Sequence, residues 1–518
     1  MVEDKENIWQ KYERGKDHHY SCQMYSQIDK FHHFFSGDQW YGLNVSKDRN
    51  LPVLNIIKPV GKYKISMIAQ NNLSIVYSSM GGNSSDAVSA LNALAENIWE
   101  KSKMDVLIWE CIKNAYIAGD HYAYWHDDRD QFEGSVRANI FPSLKCRLVN
   151  ATSIYFADEQ NSNLQEQEYI IISERMPVSK IKEEARKNKL SESEIALIKS
   201  DDDVETHLGE SVKDQVKTDE GKCTSLLYMT KKKGTVYFAR CCRDVVYKPL
   251  TPLEGLDFYP IASLRWETFP GTARGISGVK QMIPNQIAIN KDLAWIGTVL
   301  QSSAFPKQVA VEDSVSNPDA LNVVGSTIRL KSGTVDDVRK AVGYINPAPI
   351  SSDALRYYLD ILNITRDLEG AGDAALGSVD PTKASGEAIK AVRDQAAISL
   401  NEQMALFKQF IEDNAIIWLK LIRAGSVNGL GVFKDGELLK FSEREIKEAE
   451  INVKIDVTPV DPYSKTAREL LLKELFKGGV IDFSEYVYSL SDNSSMPKDK
   501  LKKIIEQRRR EEDERELL

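Results

Sequence analysis

The sequence has no long apolar run and few cysteines for its length. No stretch of about 18 uncharged apolar residues occurs in it, which excludes an ordinary membrane-spanning helix. The opening segment, MVEDKENIWQ, lacks the apolar centre of a secretory signal. No C-x-x-C pair is present, so we expect free thiols in a reducing compartment rather than disulfides or structural zinc. The cysteines are Cys22, Cys111, Cys146, Cys223, Cys241 and Cys242.

Common catalytic signatures are also missing. The sequence contains no G-x-x-x-x-G-K-[ST] loop, no G-x-S-x-G elbow and no H-E-x-x-H pair. The segment GTARGISGVK, which ends at Lys280, does not have the glycine spacing of a phosphate-binding loop. We therefore expect no nucleotide hydrolysis, no cofactor and no enzymatic activity in this chain.

Two polar clusters suggest metal ligands but have simpler interpretations. Four histidines and two aspartates lie in or beside an aromatic-rich helical segment: His18, His19, His32, His33, Asp17 and Asp38. Polar pairs on that helix are a more economical interpretation than a metal site. The second cluster, WHDDRD at 125–130, follows a strand pattern and precedes Gly134, so a hairpin turn accounts for it.

The charge balance is mildly acidic. The 67 basic and 76 acidic residues give a formal net charge of −9. Proteins that grip DNA tightly on their own are usually basic, because their affinity comes from neutralising phosphates. A chain of this charge that meets DNA is expected to let the DNA pass rather than hold it.

Hydrophobic periodicity predicts an α+β fold. Strand patterns occupy short segments between 121 and 265, and the charged stretch 201–222 is typical of a solvated loop. The longest predicted helix, over 386–424, would extend about 55 Å at ~1.5 Å per residue. Six further helical regions are predicted. They are 3–35, which Gly37 ends; a pair, one helix that Asp86 caps and that runs through Trp99 and a second from Val106 that stops at Gly119; 178–198; 275–302; 351–368; and most of the chain after 464.

The order of these elements resembles one protein family. The motifs FFSGDQW (34–40) and N-x-I-K-P-V (55–60) are similar to the N-terminal part of tailed-bacteriophage portal proteins. RGISGVKQMIPNQIAIN (274–290) resembles the start of their stem helix. ASGEAI (384–389) resembles the start of their long wing helix, and DVTPVDPYSKTARELL (456–471) their last strand and first crown helix.

The resemblance implies a portal-like subunit of several domains, with a wing, a two-helix stem, a small α/β clip, a long wing helix and a C-terminal helical crown. The implied boundaries are wing 1–273, stem helix 274–303, clip 304–350, stem helix 351–368, tunnel loop 369–385, wing 386–463 and crown 464–518.

The resemblance also implies a function. Portal proteins form a homo-oligomeric ring, usually of twelve copies, at one vertex of the capsid, and double-stranded DNA passes through it. Their partners are the terminase large subunit, head–tail adaptors, scaffold and major capsid protein. The implied location is the virion, after assembly in the host cytoplasm, with no membrane span.

Two sets of candidate residues follow. Trp295, Tyr357, Tyr358 and Leu362 are candidates for contacts between neighbouring stems, and packing within one subunit is the alternative.

The tunnel-loop region 366–387 carries two basic and five acidic residues, a net charge of −3, which would repel phosphates from a shared wall. An ordinary flexible surface loop is the alternative for this second set. The candidate DNA-facing residues are Glu369, Gly370, Gly372, Asp373, Asp380, Lys383, Ser385 and Gly386.

Two rival functions stay open at this point. A terminase or nuclease component would need a nucleotide cradle or a carboxylate cluster, and neither is visible in the sequence. Another capsid structural protein is the second rival, and the shape of the purified oligomer would distinguish it from a ring.

Overall fold

A computed structural model of the chain describes much of the sequence, with gaps. Contacts within the chain divide it into two units, Met1–Ala69 with Ile75–Ile455, and Gln70–Ser74 with Asp456–Leu518. The described residues are 5–41, 51–70, 72–79, 85–128, 142–201, 221–304, 307–310, 315–322, 327, 329–331, 342–345, 352–371, 398–426, 429–434, 437–442, 451–458, 472–473, 475–479 and 481–489.

The described helices are concentrated at the N-terminus and around residues 280–425. They are α1 (Lys5–Ser21), α2 (Met24–Ser36), α3 (Ile57–Ala69), α4 (Ser85–Lys101), α5 (Met104–Ala118), α6 (Val178–Lys187), α7 (Glu192–Ala196), α8 (Ile283–Ala304), α9 (Ser352–Leu368), α10 (Asn401–Gly425) and α11 (Phe483–Ser489). Among these helices none combines the length and the apolarity needed to span a bilayer.

The strands lie mostly between the two helical regions. They are β1 (Asn72–Ser79), β2 (Asp120–Asp127), β3 (Leu144–Asn150), β4 (Ile154–Phe156), β5 (Tyr169–Pro177), β6 (Lys222–Lys232), β7 (Thr235–Cys241), β8 (Val246–Pro252), β9 (Ile261–Arg265), β10 (Lys307–Ala310), β11 (Val342–Ile345), β12 (Leu430–Lys434), β13 (Glu437–Phe441) and β14 (Ile451–Thr458). The α+β class predicted from the periodicity is confirmed.

Two antiparallel sheets form the centre of the first unit. One has the order β3-β2-β9, and the other has the order β4-β5-β6-β7-β8. Helices α5 and α10 both pack on β2, which explains why six consecutive residues of that strand are buried. Trp125 on β2 donates a hydrogen bond of 2.5 Å to Asn414 Oδ1 and packs edge-on against Trp418 of α10.

Local signals place several boundaries where the sequence predicts them. Helix α2 ends at Gly37, whose φ of 108° is available to glycine at low cost. The turn between β6 and β7 uses Lys233 and Gly234, both with positive φ. The six cysteines are free thiols in the structure. Of the predicted loop 201–222, residues 202–220 lie outside the described part of the chain.

Two helix predictions were wrong at their ends. The stem helix begins at Ile283, and Pro284 sits in its first turn, where the missing amide hydrogen costs nothing. Residues 274–279 are not helical, because groups in this segment donate hydrogen bonds to carbonyls of α5. Gly278 donates its amide hydrogen to the Tyr116 carbonyl at 3.0 Å, and the Ser277 hydroxyl donates to the Ile117 carbonyl at 2.6 Å.

The helix predicted over 386–424 is not continuous, because a turn at Ser399–Leu400 interrupts it before Asn401–Gly425, and residues 386–397 lie outside the described part of the chain. Leu400 is buried with non-helical dihedral angles, so packing of this side chain outweighs the helical pattern. The 25 residues of α10 extend about 38 Å at ~1.5 Å per residue, not 55 Å.

The helix predicted over 178–198 is divided between α6 and α7. Lys189 takes a positive φ of 60° between them, and Ser191 caps α7 through a capping box with Glu194. The positive φ ends α6 because a helix cannot continue through that conformation.

The chain passes very close to itself before the stem. A Cβ atom added at Gly275 would lie 2.1 Å from the carbonyl oxygen of Gly119, and one added at Gly119 would lie 2.5 Å from the oxygen of Gly275. Neither distance is possible for a real side chain, so both positions require glycine. This contact fixes the segment before α8 against the junction of α5 and β2.

The Arg274 side chain lies beside this contact and is largely buried, with 14% of it exposed. All three nitrogens of its guanidinium group donate hydrogen bonds. It bonds to both carboxylate oxygens of Glu159 at 2.8 Å and to the carbonyls of Ala151 and Ile154 at 2.9 and 2.8 Å. Its Nη2 also lies 2.9 Å from Nε2 of His19 on α1. A bidentate pair of this kind is among the strongest polar contacts in proteins.

The pKa values of His19 and Glu159, which both contact Arg274, are lowered for different reasons. Burial lowers the pKa of His19 to about 4, so the ring is neutral near pH 7 and its Nε2 accepts the bond from Arg274. Burial alone would raise the pKa of Glu159, but the charge of Arg274 and the hydrogen bonds of Arg274 and His19 together outweigh burial and lower it. As pH falls from 6.5 to 4, the unfolded chain protonates its histidine first, so His19 removes stability across that range.

Replacing Arg274 with Met should lower the free energy of unfolding by about 3–5 kcal/mol, because Glu159 would stay buried without its partner. The shift of the urea unfolding midpoint, followed by tryptophan fluorescence, measures this. Arg186→Met is the control, since its ion pair with Glu192 is exposed and should be worth about 1 kcal/mol at most. Equal shifts for the two variants would contradict the role assigned to Arg274.

Candidate functional site

The two stem helices form a hairpin that is anchored at its base. Helix α8 has 22 residues and packs against α9, and Asn285 Nδ2 donates to Thr365 Oγ1 across the pair at 2.9 Å. The 22 residues correspond to about 33 Å of helix at ~1.5 Å per residue. The hairpin is therefore a long element fixed to the body by its first turns.

Amide side chains make the anchor of α8. Gln286 is fully buried, accepts the Ile56 amide hydrogen at 2.9 Å and donates to the Leu54 carbonyl at 2.8 Å. One turn later, Asn290 donates to Gln39 Oε1 at 2.5 Å. Buried amides need these partners, so their spacing of four residues fixes the rotation of α8 about its axis.

Large apolar side chains of both stem helices remain in solvent in this arrangement. Trp295 is 65% exposed and Tyr357 is 57% exposed, whereas Tyr358 and Leu362 are partly buried. Packing within one subunit therefore does not explain why large aromatic side chains occupy positions 295 and 357. Tyr358 and Leu362 are half covered in the hairpin itself.

Helix α9 carries two adjacent apolar stripes. One stripe, at positions 358, 361, 362 and 365, is partly or fully buried. It ends at Thr365, which accepts the hydrogen bond from Asn285 of α8. The other consists of Tyr357, Ile364 and Leu368, which are 57%, 56% and 79% exposed and fall on one side at helical spacing. An exposed apolar stripe this long is typical of a surface that a partner covers.

A small β-ribbon follows α8 in the sequence. Strands β10 and β11 pair antiparallel, with Lys307 opposite Ile345 and Ala310 opposite Val342. An isolated bridge joins Val315 to Leu330. The predicted clip, 304–350, thus contains paired strands in its described part.

The end of α9 leads to the predicted tunnel loop through a well-formed cap. Gly370 has a φ of 66°, and the Ala371 amide donates to the Arg366 carbonyl at 2.9 Å, in the manner of a Schellman motif. A Cβ added at Gly370 would lie 2.9 Å from Ser399 Oγ. Gly370 and Ser399, which lie on either side of segment 372–397, are therefore close neighbours.

Glu369 makes an ion pair within its own subunit. Its carboxylate lies 2.5 Å from Lys64 Nζ on α3, and both side chains are largely buried, with 14% and 12% exposed. The pair neutralises Glu369, a feature that the sequence does not indicate because 305 residues separate the partners. Outside the described residues lie the other predicted tunnel-loop positions, Gly372, Asp373, Asp380, Lys383, Ser385 and Gly386.

The polar clusters that suggest metal binding have other contacts. His19 stacks on Tyr155, and His33 stacks on Tyr41 while its Nδ1 lies 3.0 Å from Asp38. Asp127 accepts the Ser143 amide across the β2–β3 pair, and Asp128 pairs with Lys145. Within the described ranges, no group of three or more His, Cys, Asp or Glu side chains is arranged to hold a metal ion.

Comparison with known proteins identifies the family. The model of the phage P22-like portal protein family matches residues 9–424, which is most of the chain. This protein belongs to the P22-like portal family. The portal resemblance of the sequence motifs is therefore confirmed, and with it a structural role in a bacteriophage virion. The family is structural and not enzymatic.

Other comparisons add little to this. A chain of a solved structure described as the virion of a native gene transfer agent (GTA) particle is 11% identical, with a TM-score of 0.37. The match covers 90% of this chain and 93% of that one, and a similarity this low says nothing about the function of this chain. No curated protein matches the sequence.

Exchanging the charges of Lys64 and Glu369 tests the ion pair at the end of the stem. Lys64→Glu alone should lower the unfolding free energy by about 3 kcal/mol, because it places two carboxylates together in a largely buried site. Adding Glu369→Lys should recover most of that loss in urea unfolding.

The matched control is the same exchange at Lys187 and Glu183, an exposed pair worth about 0.3–0.5 kcal/mol. If the double variant at 64 and 369 were no more stable than Lys64→Glu alone, the ion pair would not be what holds this junction.

Proposed function

We propose that the protein forms a closed ring of twelve copies at one capsid vertex, and that double-stranded DNA passes through the ring during packaging and ejection. The observation that supports this proposal most strongly is the exposed apolar stripe of the stem hairpin. Two helices packed on each other leave this stripe in water, and identical neighbours can cover it. A head-to-tail interface that closes into a ring does so for every copy.

The domain assignment is part of the proposal. The two sheets and the N-terminal helices, with α10, belong to the wing, and α8 and α9 to the stem. The β10–β11 ribbon belongs to the clip, and α11 belongs to the crown. The amide anchor supports this assignment, because it fixes the base of the stem against segment 51–56 of the wing.

The segment after α9 is the proposed DNA-facing wall. With Glu369 neutralised by Lys64, its negative charge rests on the other acidic residues, above all Asp373 and Asp380. Twelve copies of such a segment would repel phosphates from the wall, so DNA could slide without a deep binding well. Lys383 would supply a weak positioning contact. Ser385 and the glycines Gly370, Gly372 and Gly386 complete the proposed segment.

Partners and location follow from the same proposal. The clip would bind the terminase large subunit during packaging and a head–tail adaptor afterwards. The wing would contact scaffold and major capsid protein. Assembly would take place in the host cytoplasm, and the finished ring would remain at the portal vertex of the virion.

Trp295→Ala should weaken ring assembly without unfolding the subunit. Burial of this side chain at an interface is worth about 2 kcal/mol, or about 30-fold in the association constant of each contact. Mass photometry across a dilution series measures the change. Leu197→Ala, which truncates a side chain 53% exposed after α7, should leave the ring intact. A Trp295→Ala ring that survives dilution as well as the wild type would refute the stem interface.

Reversing two charges tests the wall. A variant with Asp373→Lys and Asp380→Lys should form rings normally but package DNA several-fold more slowly, because phosphates would bind the wall. In vitro packaging with purified motor, scored as nuclease-protected DNA, measures the rate.

The control variant, Glu183→Lys with Glu192→Lys, makes the same change in net charge on α6 and α7. Packaging at the wild-type rate by the first variant would contradict the proposed wall. So would its failure to form rings, since the segment would then be needed for assembly.

A further inference from the structure

Two cysteines meet beside the five-stranded sheet. Cys223 lies near the start of β6, and Cys242 directly follows the last residue of β7. Both are buried, at 2% exposure, in an apolar cluster that includes Val178, Ile181 and Tyr247. Cys241, although adjacent in sequence, belongs to a different cluster around Tyr12 and Tyr155. The strand geometry therefore separates Cys241 from Cys242 and brings Cys242 to Cys223.

Cys223 and Cys242 line the same small, partly open cavity. Lys199, Asp201 and Arg243 are among the residues that line it with them. A cavity gives a small solute a route to thiols that are otherwise covered. Asp244 also lines it, so two basic and two acidic residues make the cavity polar.

The polar contacts give the two thiols different roles. The Cys223 thiol donates a hydrogen bond to Asp201 Oδ2 at 3.3 Å, whereas the Cys242 thiol donates one to the Val245 carbonyl at 3.4 Å. Asp201 is itself held in place, because it pairs with Arg175 and accepts the Thr224 amide hydrogen at 2.8 Å. Its carboxylate is thus positioned to take a proton from Cys223.

The electrostatics agree with this division. The neighbouring Cys223 thiol, together with the amides of Asp244 and Val245, lowers the pKa of the Cys242 thiol against the effect of burial. The neighbouring Cys242 thiol, burial and the charge of Asp201 raise the pKa of Cys223. Cys242 therefore loses its proton more readily than Cys223, and a thiolate is the reactive form of cysteine.

We propose that Cys223 and Cys242 are a redox-active dithiol that closes to an intramolecular disulfide when it meets a small peroxide. The Cys242 thiolate attacks one oxygen of hydrogen peroxide, the O–O bond breaks, and the products are Cys242 sulfenic acid and hydroxide. Cys223 then attacks the sulfenic sulfur, while its proton passes through Asp201 to the departing oxygen. The S–O bond breaks, the S–S bond forms and water leaves. The hydroxide of the first step takes up the proton that Cys242 had released and becomes the second water, so two thiols are oxidised and one peroxide is reduced.

The remaining cysteines provide internal references. Cys111 and Cys146 are near enough to interact, but burial raises the pKa of both thiols, that of Cys146 to about 12. Cys22 is exposed and reports the reactivity of an ordinary surface thiol. The proposal predicts that Cys242 reacts faster than Cys22 in spite of its burial.

The experiment uses the full chain and hydrogen peroxide. Free thiols are blocked after the peroxide treatment, and tryptic peptides are identified by mass spectrometry without reduction. Trypsin releases Cys223 in CTSLLYMTK and Cys242 in CCR, which also contains Cys241. The expected result is a disulfide between these two peptides, 2 Da below their summed mass, formed before Cys22 is oxidised.

Two variants distinguish the neighbouring cysteines. In Cys241→Ser the disulfide link between the two peptides should still form, whereas in Cys242→Ser it should be absent. Cys223→Ser should stop the reaction at Cys242 sulfenic acid, which dimedone traps. The proposal is overturned if the link persists in Cys242→Ser, or if peroxide oxidises Cys22 while Cys223 and Cys242 stay reduced in the wild type. It is also overturned if the wild type accumulates Cys242 sulfinic acid without the link.

Discussion

The placement of the stem depends on one buried cation. Arg274 stands immediately before the stem segment, and its guanidinium joins α1, the β4 region and the loop that carries Glu159. A buried charge is costly unless every donor is used, so the surrounding groups have little freedom to move without exposing or unpairing it. The interlocked backbones of Gly119 and Gly275 add a steric constraint at the same point. Together they fix the direction in which the chain enters the stem.

A fixed direction has consequences further along the chain. The anchor of Gln286 and Asn290 sets the rotation of α8, and the Schellman cap at Gly370 with the Lys64 ion pair fixes the end of α9. The hairpin therefore cannot turn its second apolar stripe inward. Water is a poor environment for Trp295 and Tyr357, and covering such side chains is the main favourable term in most protein association. The match to the portal family over residues 9–424 is the context for our proposal that neighbouring copies cover them.

The sequence predicts what depends on local signals. Periodicity identifies most helices and strands, and glycine correctly marks the ends of α2 and α5. It does not identify the buried network, because Arg274 is 115 residues from Glu159 and 255 from His19. It also misses the turn before α10, since the apolar spacing continues through Leu400 and packing decides the break. The sequence leaves open whether Trp295 is packed or exposed, and only the rotation of α8 shows that this side chain is exposed in the single subunit.

Electron microscopy of the purified full-length protein tests the central claim most directly. The account predicts a closed ring with a central hole, in which α8 and α9 of each copy pack against the neighbouring hairpin and Trp295 is buried at the boundary. A monomeric particle, or a ring whose copies meet elsewhere and leave Trp295 and Tyr357 in solvent, would contradict it.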